Sequence, residues 1–302
     1  MSTKAIRGTG TAIVTPFTPS GDIDYEATIR LLDYQLAGGV EMIVPLGSTG
    51  ENPTLTPSER QRFLSFVIDY VAGRALVIAG TGTNDTQSSI AFTREACDLG
   101  ADAALVVTPY YNKPTPDGLF QHFSAVSDVG LPIIMYNVPG RTGLNMNAET
   151  TLRCADIENV VAIKEASANM EQCMEIIRNA PQHFKLLSGE DNLAVPLCAV
   201  GGRGVISVTS NVVPNEFSRM VRFALDEQFS EAKAIQYELF ELMKVMFIET
   251  NPQPVKAALA MMNIIGENYR LPLVPMRPEN RNKVREVLMQ LDTVVVEEFE
   301  GN

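Results

Sequence analysis

The residues best suited to chemistry sit at the ends of short apolar runs. The clearest run is Val160-Val161-Ala162-Ile163-Lys164-Glu165-Ala166-Ser167, β-branched at first, stopped by a cation and followed by small residues. Alternate side chains of a strand share a face, so Val160, Ala162 and Lys164 are predicted to point one way and Val161, Ile163 and Glu165 the other. An ammonium at the rim of an apolar face is partly desolvated, which disfavours its charged form and frees the neutral amine as a nucleophile. That is the chemistry of a Schiff-base lysine. Taken alone, a strand-end lysine more often carries its ammonium out into water, so the assignment depends on what gathers around it.

Several groups do gather at comparable positions. Gly47-Ser48-Thr49-Gly50 sets two hydroxyls between two glycines, and the successive N–H groups of such a turn can cradle a small anion. The spacing of a phosphate loop is missing, so a carboxylate is the expected guest. Pro109-Tyr110-Tyr111-Asn112-Lys113-Pro114 holds two phenols in a proline-bounded loop. Tyr136 shares the strand phase of Ile134 and should face the same interior, where a phenol can pass a proton to or from an imine nitrogen or a carbinolamine oxygen. Arg141, in the Tyr136-Asn137-Val138-Pro139-Gly140-Arg141-Thr142-Gly143 loop, offers a fork suited to a second carboxylate. Gly189 and Ile206 fall at later strand ends, where small or apolar side chains leave room for a substrate. Gly80-Thr81-Gly82-Thr83-Asn84 reads as a tight turn, and Gly201-Gly202-Arg203-Gly204 lacks the spacing of a dinucleotide fingerprint.

Composition narrows the chemistry further. The formal net charge of −12 argues against nucleic acid or an anionic membrane surface as partner. No apolar run approaches the roughly 18 residues that span a bilayer, and residues 1–10 lack the apolar core of a signal peptide; a cytoplasmic location is expected. Cys97, Cys154, Cys173 and Cys198 have no C-x-x-C or ligand-like spacing and read as buried free thiols. The only two histidines, His122 and His183, argue against a histidine-built metal site and against a Ser-His-Asp triad. Neither a metal nor another cofactor is expected, and the electron sink for carbonyl chemistry would be an iminium on lysine.

A common scaffold must bring these strand ends together. Strand candidates fall over 10–14, 42–45, 76–79, 104–107, 133–136, the Lys164 run, 185–187 and 205–208, at intervals of about 20–34 residues with helical patterns between them, as repeated βα units would produce. Helix starts are marked by Asp24, by a capping box at Thr56-Pro57-Ser58-Glu59, and near Asn84, Thr115, Asn147 and Asn169. The predicted fold is an α/β (β/α)8 TIM barrel over 1–225, with catalytic groups at the C-terminal ends of its strands. Residues 226–302 are predicted as a helical appendage, with helices over 227–249, 255–265 and 278–291.

With GSTGEN, TPYYNKP, YNVPGRTG, the Lys164 strand and Asn251-Pro252-Gln253-Pro254-Val255-Lys256 in view, the chain closely resembles, end to end, the dihydrodipicolinate synthase / N-acetylneuraminate lyase family of class I pyruvate-dependent aldolases. The resemblance implies a TIM barrel with C-terminal helices and Lys164 as the residue that condenses with pyruvate. It further implies Tyr136 as proton donor and acceptor, Ser48 and Tyr111 as its relay, and the backbone of Ser48 and Thr49 as the seat of the pyruvate carboxylate. The tyrosine of the strand-four loop would enter a neighbouring subunit's site, implying a homodimer or homotetramer. Arg141 matches the branch that uses L-aspartate 4-semialdehyde; a sugar-acid aldolase or a non-catalytic keto-acid-binding paralogue are the alternatives. Ser48 stands where that branch usually has threonine and keeps the hydroxyl. Pro57, Arg60 and Ser88 depart from the pattern of lysine-inhibited members, whereas Asn84 and Tyr110 match it, which implies weak or absent inhibition by lysine.

Overall fold

The structure, a computed structural model, describes residues 5–296; the start of the 1–10 stretch and the end of the 226–302 region lie outside the described residues. Its elements in chain order are β1 (Gly8–Ala12), α1 (Tyr25–Ala37), β2 (Met42–Val44), α2 (Pro57–Val71), β3 (Leu76–Gly80), α3 (Thr86–Leu99), β4 (Ala103–Val107), α4 (Pro116–Ser127), β5 (Ile133–Asn137) and α5 (Pro139–Thr142), followed by α6 (Ala148–Ala155), β6 (Val160–Glu165), α7 (Met170–Asn179), β7 (Lys185–Ser188), α8 (Ala194–Ala199), β8 (Gly204–Ser207) and α9 (Pro214–Leu225). Four helices follow: α10 (Phe229–Glu238), α11 (Phe240–Val245), α12 (Gln253–Met261) and α13 (Pro278–Leu288). The eight strands are parallel and close in sequence order, β8 pairing with β1. This is the TIM barrel that the βα alternation predicts.

Two apolar layers hold it. Inside the barrel, Ala12, Met42, Val44, Ile78, Leu105, Ile134, Ala162, Leu187 and Ile206 fill the lumen. The outward strand residues, among them Ile43, Val77, Met135, Ile163 and Leu186, pack under the helices against Phe63, Phe123, Ile176 and Phe217. Every strand is therefore buried on both faces, which explains why the strands read as apolar runs more than as alternations.

The predicted face assignment of the Lys164 strand is correct from Ala162 onward and fails at Val160, which lies in the outer layer, and at Val161, which packs on the inner one. The β5–β6 register shifts so that Ile133 lies opposite Val160 and Ile134 opposite Ala162. The extra residue, Val161, breaks the alternation as a bulge does. Val160 consequently joins the outer layer with Ile163, while Ala162 stays inside.

Helix starts follow their caps. Asp24 accepts from the Ala27 N–H, and Thr56 and Glu59 form the reciprocal capping box. The cap of α3 is Asp85, one residue past the predicted Asn84, accepting from the Ser88 N–H. The single helix predicted over 227–249 is divided at Leu239, whose φ of −87 and ψ of −1 depart from α-helical geometry. Among the described residues no helix is long and apolar enough to cross a membrane. The four cysteines are free, but Cys97, on α3, is exposed rather than buried.

His122 on α4 is buried against Phe123; its Nδ1 lies 3.0 Å from Thr86 Oγ1, and its Nε2 has no partner among the described residues. Burial pushes its pKa down from 6.5 to about 4, against the opposing charge of Asp85. A histidine that is neutral when folded and protonated when unfolded contributes stability fully above about pH 6.5, and loses it as the pH falls toward 4. The loss is expected to reach at most about 3 kcal/mol. Urea unfolding of wild type and His122→Asn between pH 7 and pH 4 checks this: the pH slope assigned to the imidazole should be missing from the variant.

Candidate active site

The C-terminal ends of the strands open into a cavity of about 320 Å³ lined by Ser48, Thr49, Tyr136, Arg141, Lys164, Gly189 and Asn251 among others. Lys164 is 5% exposed at its floor. Its register partner across β5 is Tyr136, and Nζ stands 4.3 Å from the centre of that ring. Among the described residues Lys164 makes no salt bridge. The burial on which the sequence argument relied is thus present.

Space for this side chain comes from its neighbours. A Cβ at Gly189 would lie 2.6 Å from Cβ of Ala166, closer than packed carbons tolerate, and 3.1 Å from Cε of Lys164, which would have to give way by a few tenths of an ångström. Outside the barrel, Glu165 anchors the same strand end. Its carboxylate accepts from Asn137 Nδ2 at 3.0 Å, from Gln172 Nε2 at 3.0 Å and from the Ser167 N–H at 2.8 Å. Asn137 belongs to β5 and Gln172 to α7, so this buried network locks the strands carrying Tyr136 and Lys164 to each other and to a helix. Burial raises the Glu165 pKa, opposed by those hydrogen bonds.

Two more carboxyl groups follow β7: Glu190, in the lining of the cavity, and the buried Asp191. Asp191 accepts from the Thr209 and Val208 N–H groups at 2.7 and 3.3 Å, and its Oδ1 has no partner among the described residues. Burial is the main cause that raises the pKa of both Glu190 and Asp191, and in each case the Lys164 cation opposes the rise.

The Gly47-Ser48-Thr49-Gly50 turn has the form expected of an anion cradle. Gly50 N donates to Gly47 O at 3.1 Å and Glu51 N to Ser48 O at 3.2 Å, whereas the N–H groups of Ser48 and Thr49 make no hydrogen bond among the described residues. Thr49 Oγ1 accepts from Asn251 Nδ2 at 2.9 Å, and Arg141 Nη2 donates to the carbonyl of Asn251 at 3.1 Å. Arg141 is exposed at the rim, on the one-turn helix α5 that replaces the predicted plain loop.

Two sequence candidates lie elsewhere. Tyr111 is 89% exposed, with φ of 70°, and is not in the lining of its own cavity. Ile206 is fully buried in the lumen beneath the cavity, and Val208, two residues on, is the lining residue from that strand end. Conversely, Asn251, Glu190, Asp191 and the Asn137–Glu165–Gln172 network escaped the sequence argument as functional candidates. Asn251, Asn137 and Glu165 lie within motifs quoted there, whereas Glu190, Asp191 and Gln172 carried no such signal. A second cavity of about 300 Å³ adjoins the first and shares Gly47, Ser48, Leu105, Tyr136, Arg141 and Asn251 with it, but not Lys164. Among the described residues no group of three His, Cys, Asp or Glu side chains could hold a metal ion.

Comparison with known proteins finds relatives over nearly the whole chain. The sequence profile of the Dihydrodipicolinate synthetase family matches residues 5–291. The 4-hydroxy-tetrahydrodipicolinate synthase of Syntrophotalea carbinolica is 46% identical over 282 residues, covering 93% of this chain and 96% of that protein. The crystal structure of dihydrodipicolinate synthase from Aquifex aeolicus superposes with a TM-score of 0.92 at 45% identity, covering 94% of this chain and 98% of that one. The Thermotoga maritima dihydrodipicolinate synthase structure gives a TM-score of 0.92 at 44% identity, with the same coverage of 94% and 98%.

Gly189→Ala is expected to displace the Lys164 side chain and slow its reductive methylation about tenfold. Peptide mapping with Lys185 as internal standard reads this out, and an unchanged rate at Lys164 would mean that Gly189 does not shape its seat.

Proposed function

The chain belongs to the dihydrodipicolinate synthetase family, and from that premise we propose that it catalyses the 4-hydroxy-tetrahydrodipicolinate synthase reaction, condensing pyruvate with L-aspartate 4-semialdehyde on Lys164. The observation that carries the reading is a buried lysine, free of any ion pair among the described residues, on the floor of a cavity beside a phenol. The Ser48 and Thr49 amides receive the pyruvate carboxylate. The Lys164 amine adds to the keto carbon, and Tyr136 carries protons to the carbinolamine oxygen so that it leaves as water. Loss of a methyl proton from the imine gives an enamine, whose carbon attacks the aldehyde of the semialdehyde. Arg141 holds the carboxylate of that second substrate. The semialdehyde's own amine then closes the ring on the imine carbon and releases Lys164.

The relay hydroxyls are Ser48 and, from a second subunit, Tyr111. Support for the second subunit comes from Tyr111 itself, which projects away from its own cavity in a left-handed backbone conformation. The assembly is accordingly a homodimer or a dimer of such dimers. The catalytic barrel is residues 1–225 and the helical region 226–302.

Lysine inhibits this enzyme weakly or not at all. The guanidinium of Arg60 is buried over Phe92 at 4.0 Å and donates to Gly80 O at 3.2 Å. Burial lowers its pKa to about 10, so it stays charged at neutral pH and repels a cationic effector. A sub-millimolar inhibition constant for lysine would contradict this.

Borohydride reduction in the presence of pyruvate is expected to leave the pyruvate mass on Lys164, and no adduct would refute the reading. Arg141→Ala should still give that adduct yet lower turnover of the semialdehyde about a hundredfold or more, the scale for losing a positioned charge clamp. If the variant instead keeps full turnover with a sugar aldehyde that wild type also uses, the sugar-acid aldolase reading takes its place.

A further inference from the structure

Lys256 on α12 is fully enclosed, and its Nζ donates to Glu51 Oε1 at 2.5 Å, with neither side chain exposed. Phe17 and Tyr269 wall the ammonium at 4.3 and 5.3 Å from their ring centres. The Arg270 N–H reaches the other carboxylate oxygen at 3.4 Å. Such a pair is poorly explained by stability, because apolar residues of similar volume commonly hold a core as well or better than a buried ion pair. Its effect is on the backbone of Glu51, the residue that closes the cradle turn at φ 53°.

A trans peptide is planar, with its C=O and N–H pointing in opposite directions. The hydrogen bond from Glu51 N to Ser48 O therefore fixes the plane that contains the Thr49 N–H and turns that donor the other way. Gly50 N on Gly47 O does the same for the Ser48 N–H. Fixing Glu51 thus aims the Thr49 N–H, one of the two amides of the turn that carry no partner among the described residues.

We propose that Lys256 is a positioning residue for the carboxylate cradle, holding Glu51 so that the Ser48–Thr49 peptide presents its N–H to the keto acid. The inference rests on the reading of that turn as the pyruvate carboxylate site. Lys256 never touches substrate; it acts through Glu51 from the helical region beyond the barrel.

Steady-state kinetics on the full-length enzyme, with each substrate varied in turn, test it. Lys256→Met is expected to raise KM for pyruvate about tenfold, with KM for the semialdehyde within about twofold of wild type. Glu51→Gln keeps an acceptor for Nζ but loses the charge, and should raise the pyruvate KM about threefold. The double variant Glu51→Leu/Lys256→Met removes both charges; its thermal midpoint should recover relative to Lys256→Met while its pyruvate KM stays high. Should Lys256→Met fail to fold, Glu51→Gln and the double variant carry the test. An unchanged pyruvate KM in those two, a parallel rise for both substrates, or a double variant that regains KM together with its midpoint would overturn the proposal. Borohydride trapping on wild type keeps the two readings apart: no pyruvate adduct on Lys164 defeats the assignment of the cavity, whereas an adduct together with an unaffected cradle defeats this inference alone.

Discussion

An amine that is to act as a nucleophile must be sheltered from water and left without a counter-ion, two conditions that work against each other in a folded chain. Buried charges usually acquire partners, because an isolated ion in a low-dielectric interior is costly. Here Lys164 is 5% exposed and faces the ring of Tyr136 rather than a carboxylate. Glu190 and Asp191 are near enough to feel its charge, yet neither forms a salt bridge with it. The barrel makes this arrangement tolerable by opening a cavity over the lysine. The side chain is then buried and still lines the cavity.

Much of the surrounding structure follows from keeping that side chain in one place. From inside, Gly189 has no room for a Cβ between Ala166 and Cε of Lys164. From outside, Glu165 ties β5, β6 and α7 together through Asn137 and Gln172. The alternation of a strand makes these two jobs compatible: Lys164 turns inward and Glu165, its neighbour, turns outward, so one strand end supplies both the reactive group and its anchor.

The fold was legible in the sequence because its signals are local. Apolar runs, Asp24, the Thr56–Glu59 box and the caps at Thr115, Asn147 and Asn169 each depend on residues within a few positions of each other. That Lys164, Tyr136, Ser48 and Arg141 would share one cavity was legible for a related reason, since a parallel barrel brings all strand ends to one face whatever lies between them. What escaped was non-local or a matter of register. The bulge at Val161 depends on the pairing with β5 rather than on the strand's own pattern, and Ile206 was placed one layer too high because the depth of a strand in the barrel is set by its neighbours. The Glu51–Lys256 and Thr49–Asn251 contacts join residues 205 and 202 positions apart. No periodicity reports such pairs.

Those long-range contacts change what the helical region means. A barrel can present a cradle on one loop and an arginine on another, but flexible loops do not by themselves keep two binding groups at a fixed separation. Asn251 supplies that constraint: its side-chain amide donates to Thr49 on the loop after β2, and its carbonyl accepts from Arg141 after β5. One N–H of the guanidinium is thereby committed, which orients the remaining donors of a rigid planar fork. Lys256, five residues on, reaches Glu51 at the end of the same turn, and Asn251 and Pro252, just before α12, line the two cavities. The region after the barrel thereby touches both loops, Thr49 and Glu51 on one and Arg141 on the other.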